Sequence, residues 1–431
     1  MIRQADVVVV GGGPGGLGAA VGAARQGAHT LLVERYGCLG GMATVGLVNP
    51  FMHNHIDGRR LDSGVHQDWC HKMEEMGGLL PDGVTFNAEI AKLAAEQLCL
   101  EAGVDLLYHA FFGTAVMDGR CIDALVFATK SGPVGVRGYV YVDATGDGDV
   151  AARAGCPFEY GRPEDGLCQP MTTCFDMGGV DLSRLPDGAE INRLFLQAKA
   201  DGRLSCPREN CLWFRTTQPD RIHFNTTRIV RHHATDVESL SAAEREGRRQ
   251  VIEYLDWLRS DVPGFENAYL LALAQHVGVR ESRRILGEKY LTRAEAEAFA
   301  KFPDGICRCR YPIDIHSPTG GGTELVVFPP GEWYEIPYGC IVPLGVDNLL
   351  VGGRPISVDH AVHASMRVMP PACTVGQAAG VAAAMACARG VKPRDLDGVE
   401  VKQALVEQGV WLISGEEQVG PGGGMSDHSH S

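Results

Sequence analysis

Residues 6–44 read DVVVVGGGPGGLGAAVGAARQGAHTLLVERYGCLGGMAT, and this stretch decides the fold. Val7 to Val10 form a continuous apolar run, the pattern of a parallel strand buried on both faces. A glycine-rich turn opens a helix of small residues that ends at Gly27, a C-cap position. His29–Glu34 reads as the second strand, which completes a β-α-β start. The spacing Gly11-x-Gly13-x-x-Gly16 divides the work of the turn. Gly11 permits the tight bend, Gly13 lets a pyrophosphate approach the backbone, and Gly16 packs helix on strand. Pro14 and Gly15 complete the turn at the helix N-terminus, where free N–H groups and the positive dipole end suit phosphates. Glu34 ends the second strand, placed to accept hydrogen bonds from ribose hydroxyls, and an acid there argues against a 2′-phosphate. Glycine turns are common, but strand, turn, helix and distant acid together predict a dinucleotide site.

The rest of the composition narrows the class. The chain has 431 residues, 45% hydrophobic and 21% charged, enough for a sizeable core and two or three domains. A formal charge of −14, from 39 basic and 53 acidic residues, argues against sequence-independent nucleic-acid binding. The first strand begins at Asp6, which leaves no room for a leader segment, and no apolar run reaches the roughly 18–20 residues that span a bilayer. The expectation is a cytoplasmic protein without a membrane partner, its 14 cysteines mostly reduced thiols. Cys206 with Cys211, and Cys307 with Cys309, are the only close pairs, and no metal site is assigned to them.

Beyond Thr44 the pattern predicts a helix over residues 87–102, with Leu93, Gln97 and Leu100 at helical spacing. Strands follow at 104–110, 111–117 and 121–129, the last two joined through the turn DGR, then VRGYVYVDATGDGD as a strand entering a glycine turn. Residues 156–335 change character and read as an inserted α+β domain, with a strand at RIHFNTTRI and a long helix opened by a capping box at Ser241–Glu244. The opening style then returns, with NLLVGGR as a buried strand and residues 374–386 as a small-residue helix. The division is therefore 1–155 with 336–415 for the nucleotide, 156–335 for substrate, and a disordered tail over 416–431.

Several motifs together carry a resemblance: Gly11 to Glu34, GCLGGMAT, VDATGDGDVAARAG, VGVRESRRILG, YEIPYGCIVPLGVDNLLVGGRPIS and RVMPPACTVGQAAG. The chain resembles the FAD-dependent oxidoreductases of the glutathione-reductase-like superfamily, in particular the FAD-dependent oxidoreductase family with the LGG signature. The resemblance covers nearly the whole chain and implies a Rossmann-type FAD domain of parallel sheet plus β-meander. It implies that Glu34 and Arg35 hold the adenosine part, and that Gly40, Gly41 and Met42 line the pyrophosphate and ribityl region. Ala115 would lie beside the adenine, and Thr145, Gly146 and Asp147 would close the turn near the pyrophosphate. Gly353 and Arg354 would meet the ribityl or phosphate part, and Gly376, Gln377 and Ala378 the pyrimidine end of the flavin. A helix N-terminus there would stabilise the negative charge that forms on reduction.

Candidate catalytic groups are fewer and less specific. Arg280, Arg283 and Arg284 stand at i, i+3 and i+4, which on a helix is one face. Arg280 and Arg284 are the candidates to hold a carboxylate or polarise a carbonyl, against a plain solvated face paired with Glu281 and Glu288. His53, His55, Tyr338, His360 and His363 flank probable flavin-facing motifs and could take a proton, though each alone is more often structural. Cys38 has no partner before Cys70, and no second GxGxxG stands mid-chain, which argues against a disulfide reductase. The reading is a flavoenzyme that oxidises a small organic molecule and passes electrons to O2 or another acceptor, with a homo-oligomer left open. A reductase of an activated alkene and a non-enzymatic electron-transfer component stay open as alternatives.

Overall fold

A computed structural model describes residues 2–56 and 58–412. The proposed disordered tail at 416–431 lies outside the described residues. Strand β1 (Ile2–Val10) leads through the turn into α1 (Pro14–Arg25) and back to β2 (Thr30–Val33). Then come α2 (Ala88–Glu101), β3 (Asp105–Leu107), β4 (Phe111–Asp118), β5 (Cys121–Thr129) and β6 (Gly132–Asp143). Far along the chain α3 (Val237–Asp261) is followed by β7 (Leu349–Val351), α4 (His360–Met366) and α5 (Met369–Arg389).

One seven-stranded sheet organises the molecule, in the order β3-β2-β1-β6-β5-β4, with β7 also paired to β6. The strands β3, β2, β1, β6 and β7 are mutually parallel, whereas β4, β5 and the first half of β6 form an antiparallel meander. The fold is therefore mixed α/β with a Rossmann-like parallel sheet. Val7, Val8 and Val9 are wholly buried, as an apolar run with no polar alternation requires. Helices α1 and α5 cross at backbone contact. A Cβ on Gly376 would stand 1.9 Å from the Gly15 carbonyl oxygen, so only glycine allows that approach. Against the expectation that no apolar run is long enough to span a bilayer, helix α5 is, among the described residues, long and apolar enough, and 89% of its apolar window is buried inside the protein.

Where the pattern and the structure differ, the reasons are local. The helix expected over 87–102 forms as α2, with Asn87 as its cap accepting from the Glu89 and Ile90 N–H groups, but Leu93 and Leu100 face solvent. The buried stripe is Ala91, Ala94, Ala95, Leu98 and Cys99, because small residues allow the close packing this face needs. Helix α3 starts at Asp236, whose side chain accepts the Ser239 N–H at 2.8 Å, so the predicted capping box at Ser241 lies inside it. A true capping box stands at Thr292 and Glu295 instead. The motif VGVRESRRILG is extended, not helical: Arg283–Ile285 pairs antiparallel with Phe158–Tyr160. Within 156–335 a four-stranded antiparallel sheet (Trp213–Arg215, Ile222–Phe224, Phe175–Gly178, Tyr269–Leu273) has its own core around Phe175, Phe195, Tyr254 and Trp257. Residues such as Ile285, Ile306, Ile313 and Tyr334 join the larger core of the main sheet.

Candidate functional site

The C-terminal ends of β1, β2, β6 and β7 open onto one cavity of about 550 Å³. That is where ligands of open parallel sheets bind. Gly11, Gly13, Pro14 and Gly15 line it, and Gly11 has a positive φ of 98° that makes the turn. Gly16 lies behind them, because a Cβ there would fall 1.7 Å from the Gly11 carbonyl oxygen. Helix α1 starts on Gly13 and Pro14, with no acid in its first turn to compete for the free N–H groups.

Glu34 also lines the cavity, and its carboxylate is a structural hub. Oε2 accepts the Gly12 N–H at 2.5 Å and Oε1 accepts the Tyr36 N–H at 2.8 Å, which ties the two turns together. Each oxygen keeps a lone pair for a further donor. The GCLGG turn docks on the first: the Gly40 N–H donates to the Gly12 carbonyl at 2.8 Å. Gly41 and Met42 reach the cavity wall, while Gly40 stands behind them. Cys38 is half-buried and outside the wall, its thiol pushed up by burial.

At the end of β6, Asp143 accepts from the Thr145 N–H and hydroxyl and from the Ala151 N–H, and its burial pushes the carboxyl up to about 6. That set of bonds shapes the turn through Thr145, Gly146 and Asp147, all three on the wall. Gly353 and Arg354 line the cavity too, but the Arg354 guanidinium is already engaged. It donates to the Gly146 carbonyl at 2.8 Å, to Asp147 Oδ1 at 2.6 Å and to the Val279 carbonyl. Arg354 therefore clamps the turn to the segment that carries Arg280.

Two expected cofactor contacts fall elsewhere. Ala115 lies out in the meander, paired with Leu125, and the wall is made instead by Ala110, Phe111 and Phe112 at the start of β4. Gly376, Gln377 and Ala378 lie inside α5, which starts at Met369, so Val368, Met369 and Ala372 face the cavity in their place. Gln377 is occupied away from it, Oε1 accepting the Val65 N–H at 3.0 Å.

Of the catalytic candidates, Arg280 lines the cavity and the others do not. Arg284 is 1% exposed and held by Glu281 at 2.7 Å and Glu159 at 3.1 Å, because the extended chain sends it away from Arg280. His360 donates its Nδ1–H to Glu281 Oε1 at 2.7 Å, and the Tyr338 hydroxyl donates to the Pro393 carbonyl at 2.7 Å. His53 is exposed and His55 partly so, edge to face at 5.2 Å, while their neighbour Met52 reaches the wall. His363 is fully buried outside the cavity, and burial with nearby Arg284, Arg354 and Arg367 holds it neutral.

The structure supplies other groups. Arg208, Tyr311, Asp314, His316 and Arg367 line the far part of the cavity with Arg280. Asp314 Oδ2 receives the Tyr311 hydroxyl at 3.2 Å, His316 Nε2 at 3.2 Å and Arg367 at 3.5 Å. Burial pushes its carboxyl up, but the His316 hydrogen bond and the Arg367 and Arg280 charges outweigh that and hold it well below the usual range. Burial, then Arg280, pushes His316 down to about 4, so it is neutral. Its Nδ1 accepts from Arg228 at 2.8 Å, which leaves the proton on Nε2 facing Asp314. His276 lines the cavity beside Arg35, and Nε2 accepts from that guanidinium at 3.1 Å. Its Nδ1–H is buried with no partner in the protein. Tyr311, Asp314 and His316 share the short run YPIDIH, which no motif covered, whereas Arg367 opens the motif RVMPPACTVGQAAG and His276 directly precedes VGVRESRRILG.

These walls suit a dinucleotide: a turn with no Cβ to block it, a helix N-terminus, an acid with free lone pairs, and an orphan imidazole donor. Among the described residues no group of three or more His, Cys, Asp or Glu could hold a metal ion. The family comparison agrees on the cofactor. The sequence model of the family "FAD dependent oxidoreductase" matches residues 6–405. Thiamine thiazole synthase of Aeropyrum pernix is 30% identical over 163 residues, which are 35% of this chain and 57% of that protein. The chain thus matches little more than half the length of this curated relative. A geranylgeranyl bacteriochlorophyll reductase-like structure from Thermoplasma acidophilum has a TM-score of 0.48 at 14% identity, covering 95% of this chain and 84% of that one. A flavin-dependent brominase has a TM-score of 0.46 at 13% identity, covering 94% and 83%. The chain belongs to the FAD-dependent oxidoreductase family, as an enzyme whose cofactor is FAD.

Proposed function

We propose that the protein is a glutathione-reductase-type flavoprotein that oxidises a small organic molecule. The observation that carries the reading is the continuity of the cavity: one space runs from the nucleotide turns to a polar end rich in arginine. Parallel strands with an appended three-stranded meander support the subclass. Residues 1–155 and 336–415 form the FAD-binding part, and 156–335 cover the substrate end.

The Gly11–Gly15 turn, Glu34, Gly41 and Met42 would hold FAD, which would supply the redox chemistry as acceptor of a hydride from the substrate carbon. The chain supplies position, an apolar wall and a proton acceptor. Val45, Val48, Met52, Leu212 and Phe214 give the cavity apolar wall, from which a bound substrate would displace water. Asp314 Oδ2 is filled by its three donors, which leaves Oδ1 to accept the proton a substrate loses as its carbon is oxidised, once an anionic substrate beside Arg280 and Arg367 offsets the cationic field that holds this carboxyl low. His316 and Tyr311 orient that carboxylate. The neutral His316 has no lone pair left for the task, since Arg228 and Asp314 engage both ring nitrogens. FAD so held would pass the electrons on to O2 or another acceptor.

Anaerobic mixing of the FAD-loaded protein with a panel of metabolites tests this. At least one hydroxy, amino or saturated acid is expected to bleach the oxidised flavin spectrum. If none does, while photoreduced protein is reoxidised by enones, the electron flow runs the other way and the proposal fails.

A further inference from the structure

Three separate stretches of chain each bring an arginine to the far end of the cavity. Arg208 comes from the loop before strand Trp213–Arg215, Arg280 from the extended VGVRESRR segment, and Arg367 from the C-cap of α4. Clustered guanidinium groups repel one another and are costly to remove from water without counter-charge. Here the counter-charge is short. Among the described residues, neither Arg208 nor Arg280 has a carboxylate within the 4.0 Å of an ion pair. Arg208 is 5% exposed and its Nε donates to the neutral Asn210 Oδ1 at 2.9 Å. Arg280 Nη1 donates to the Pro170 carbonyl at 2.7 Å and to the Thr172 hydroxyl at 2.5 Å, both neutral. Arg367 shares the single acid, Asp314, at 3.5 Å, and its Nε is buried without a partner. Burial and the fields of Arg367 and Arg208 push Arg280 down to about 9, the mark of a cation among cations. With His316 neutral, three positive groups stand against one negative.

We propose that this end of the cavity binds an organic acid, its carboxylate held among Arg208, Arg280 and Arg367 and its apolar body against Leu212 and Phe214. The planar forks of arginine match a carboxylate two bonds at a time, and the acid supplies the charge that the protein withholds. Leu212 and Phe214 line the same space, so an inorganic anion would leave apolar wall uncovered. The inference rests on the flavin reading for its chemistry, since this acid is the molecule oxidised, but the binding itself can be read without flavin.

The test titrates the full-length protein, FAD-loaded and FAD-free, with succinate, phenylsuccinate, their diamides and inorganic phosphate. Calorimetry reads binding to both forms, and the visible spectrum reads it in the loaded form. Phenylsuccinate is expected to bind best, with its diamide and phosphate at least about tenfold weaker. Arg208→Met and Arg280→Met are each expected to weaken the acid by about tenfold or more while flavin content is kept. Should Arg280→Met fail to fold, Arg280→Lys and the acid-against-diamide comparison on the unaltered protein decide. Diamides that bind as tightly as acids, variants that bind acids unchanged, or binding of phosphate alone would each overturn the proposal. Acid binding without any flavin uptake would instead sink the flavin reading and leave the acid site standing.

Discussion

Gly16→Ala is expected to abolish FAD retention and remove much of the stability of the fold. The added Cβ would lie 1.7 Å from the Gly11 carbonyl oxygen and 2.8 Å from its carbon, both backbone atoms that have no rotamer to escape into. Gly11 cannot retreat, because its own Cβ position already falls 2.4 Å from the Ala144 carbonyl oxygen at the end of β6. Helix α1 must therefore lift off the strand, and the phosphate turn opens with it. Overpacking of side chains costs about 1–3 kcal/mol, and a backbone clash of this depth belongs at or above the upper figure. Against a typical margin of about 5–15 kcal/mol that is a large share. Gly188→Ala is the control: nothing lies within 4 Å of its Cβ position, so flavin content and melting temperature should be unchanged or slightly raised. Thermal denaturation with flavin stoichiometry reads both. A Gly16→Ala protein with normal flavin and normal melting would show that the turn and helix are not packed as described.

Asp314→Asn is expected to slow reduction of the bound flavin by about 10²–10⁴-fold with little change in flavin content. Asparagine keeps the shape of the side chain and can still accept from Tyr311 and His316 on its oxygen, so the local geometry survives. What disappears is the anionic oxygen that takes the substrate proton. The measurement is stopped-flow reduction under anaerobic conditions, with an acid from the panel that reduces the unaltered protein. Removing one negative charge from beside Arg280 and Arg367 should also tighten binding of that acid rather than weaken it. Slower reduction together with tighter binding separates loss of the proton acceptor from simple damage to the site. An unchanged reduction rate would remove Asp314 from the chemistry.

The β-α-β opening was legible because its physics is local. A strand covered on both faces must be apolar throughout, a phosphate turn must lack Cβ atoms, and an acid must end the second strand. The start of α5 was misplaced by five residues, because the small-residue pattern was followed only from Thr374 and the helix opens at Met369, ahead of Pro370 and Pro371. Proline is tolerated in a first helical turn, whose N–H groups have no partner anyway, and that is where both lie. The arginine run misled for the opposite reason. Spacing of three and four residues suggests a helical face, but pairing with Phe158–Tyr160 stretched the chain, and Arg284 went to Glu281 and Glu159 while Arg280 went to the cavity. The far end of the cavity joins residues 208, 280, 314 and 367, which no local pattern brings together. His53, His55, Tyr338 and His360 were near the right motifs in sequence and on the wrong side of them in space.

The most direct measurement is the visible spectrum of the full-length protein after loading with FAD and removal of the excess by gel filtration. Oxidised-flavin absorption at close to one FAD per chain, lost in Gly16→Ala and kept in Gly188→Ala, is the predicted result. A protein that folds, stays monodisperse and carries no flavin through the column would contradict the account at its centre.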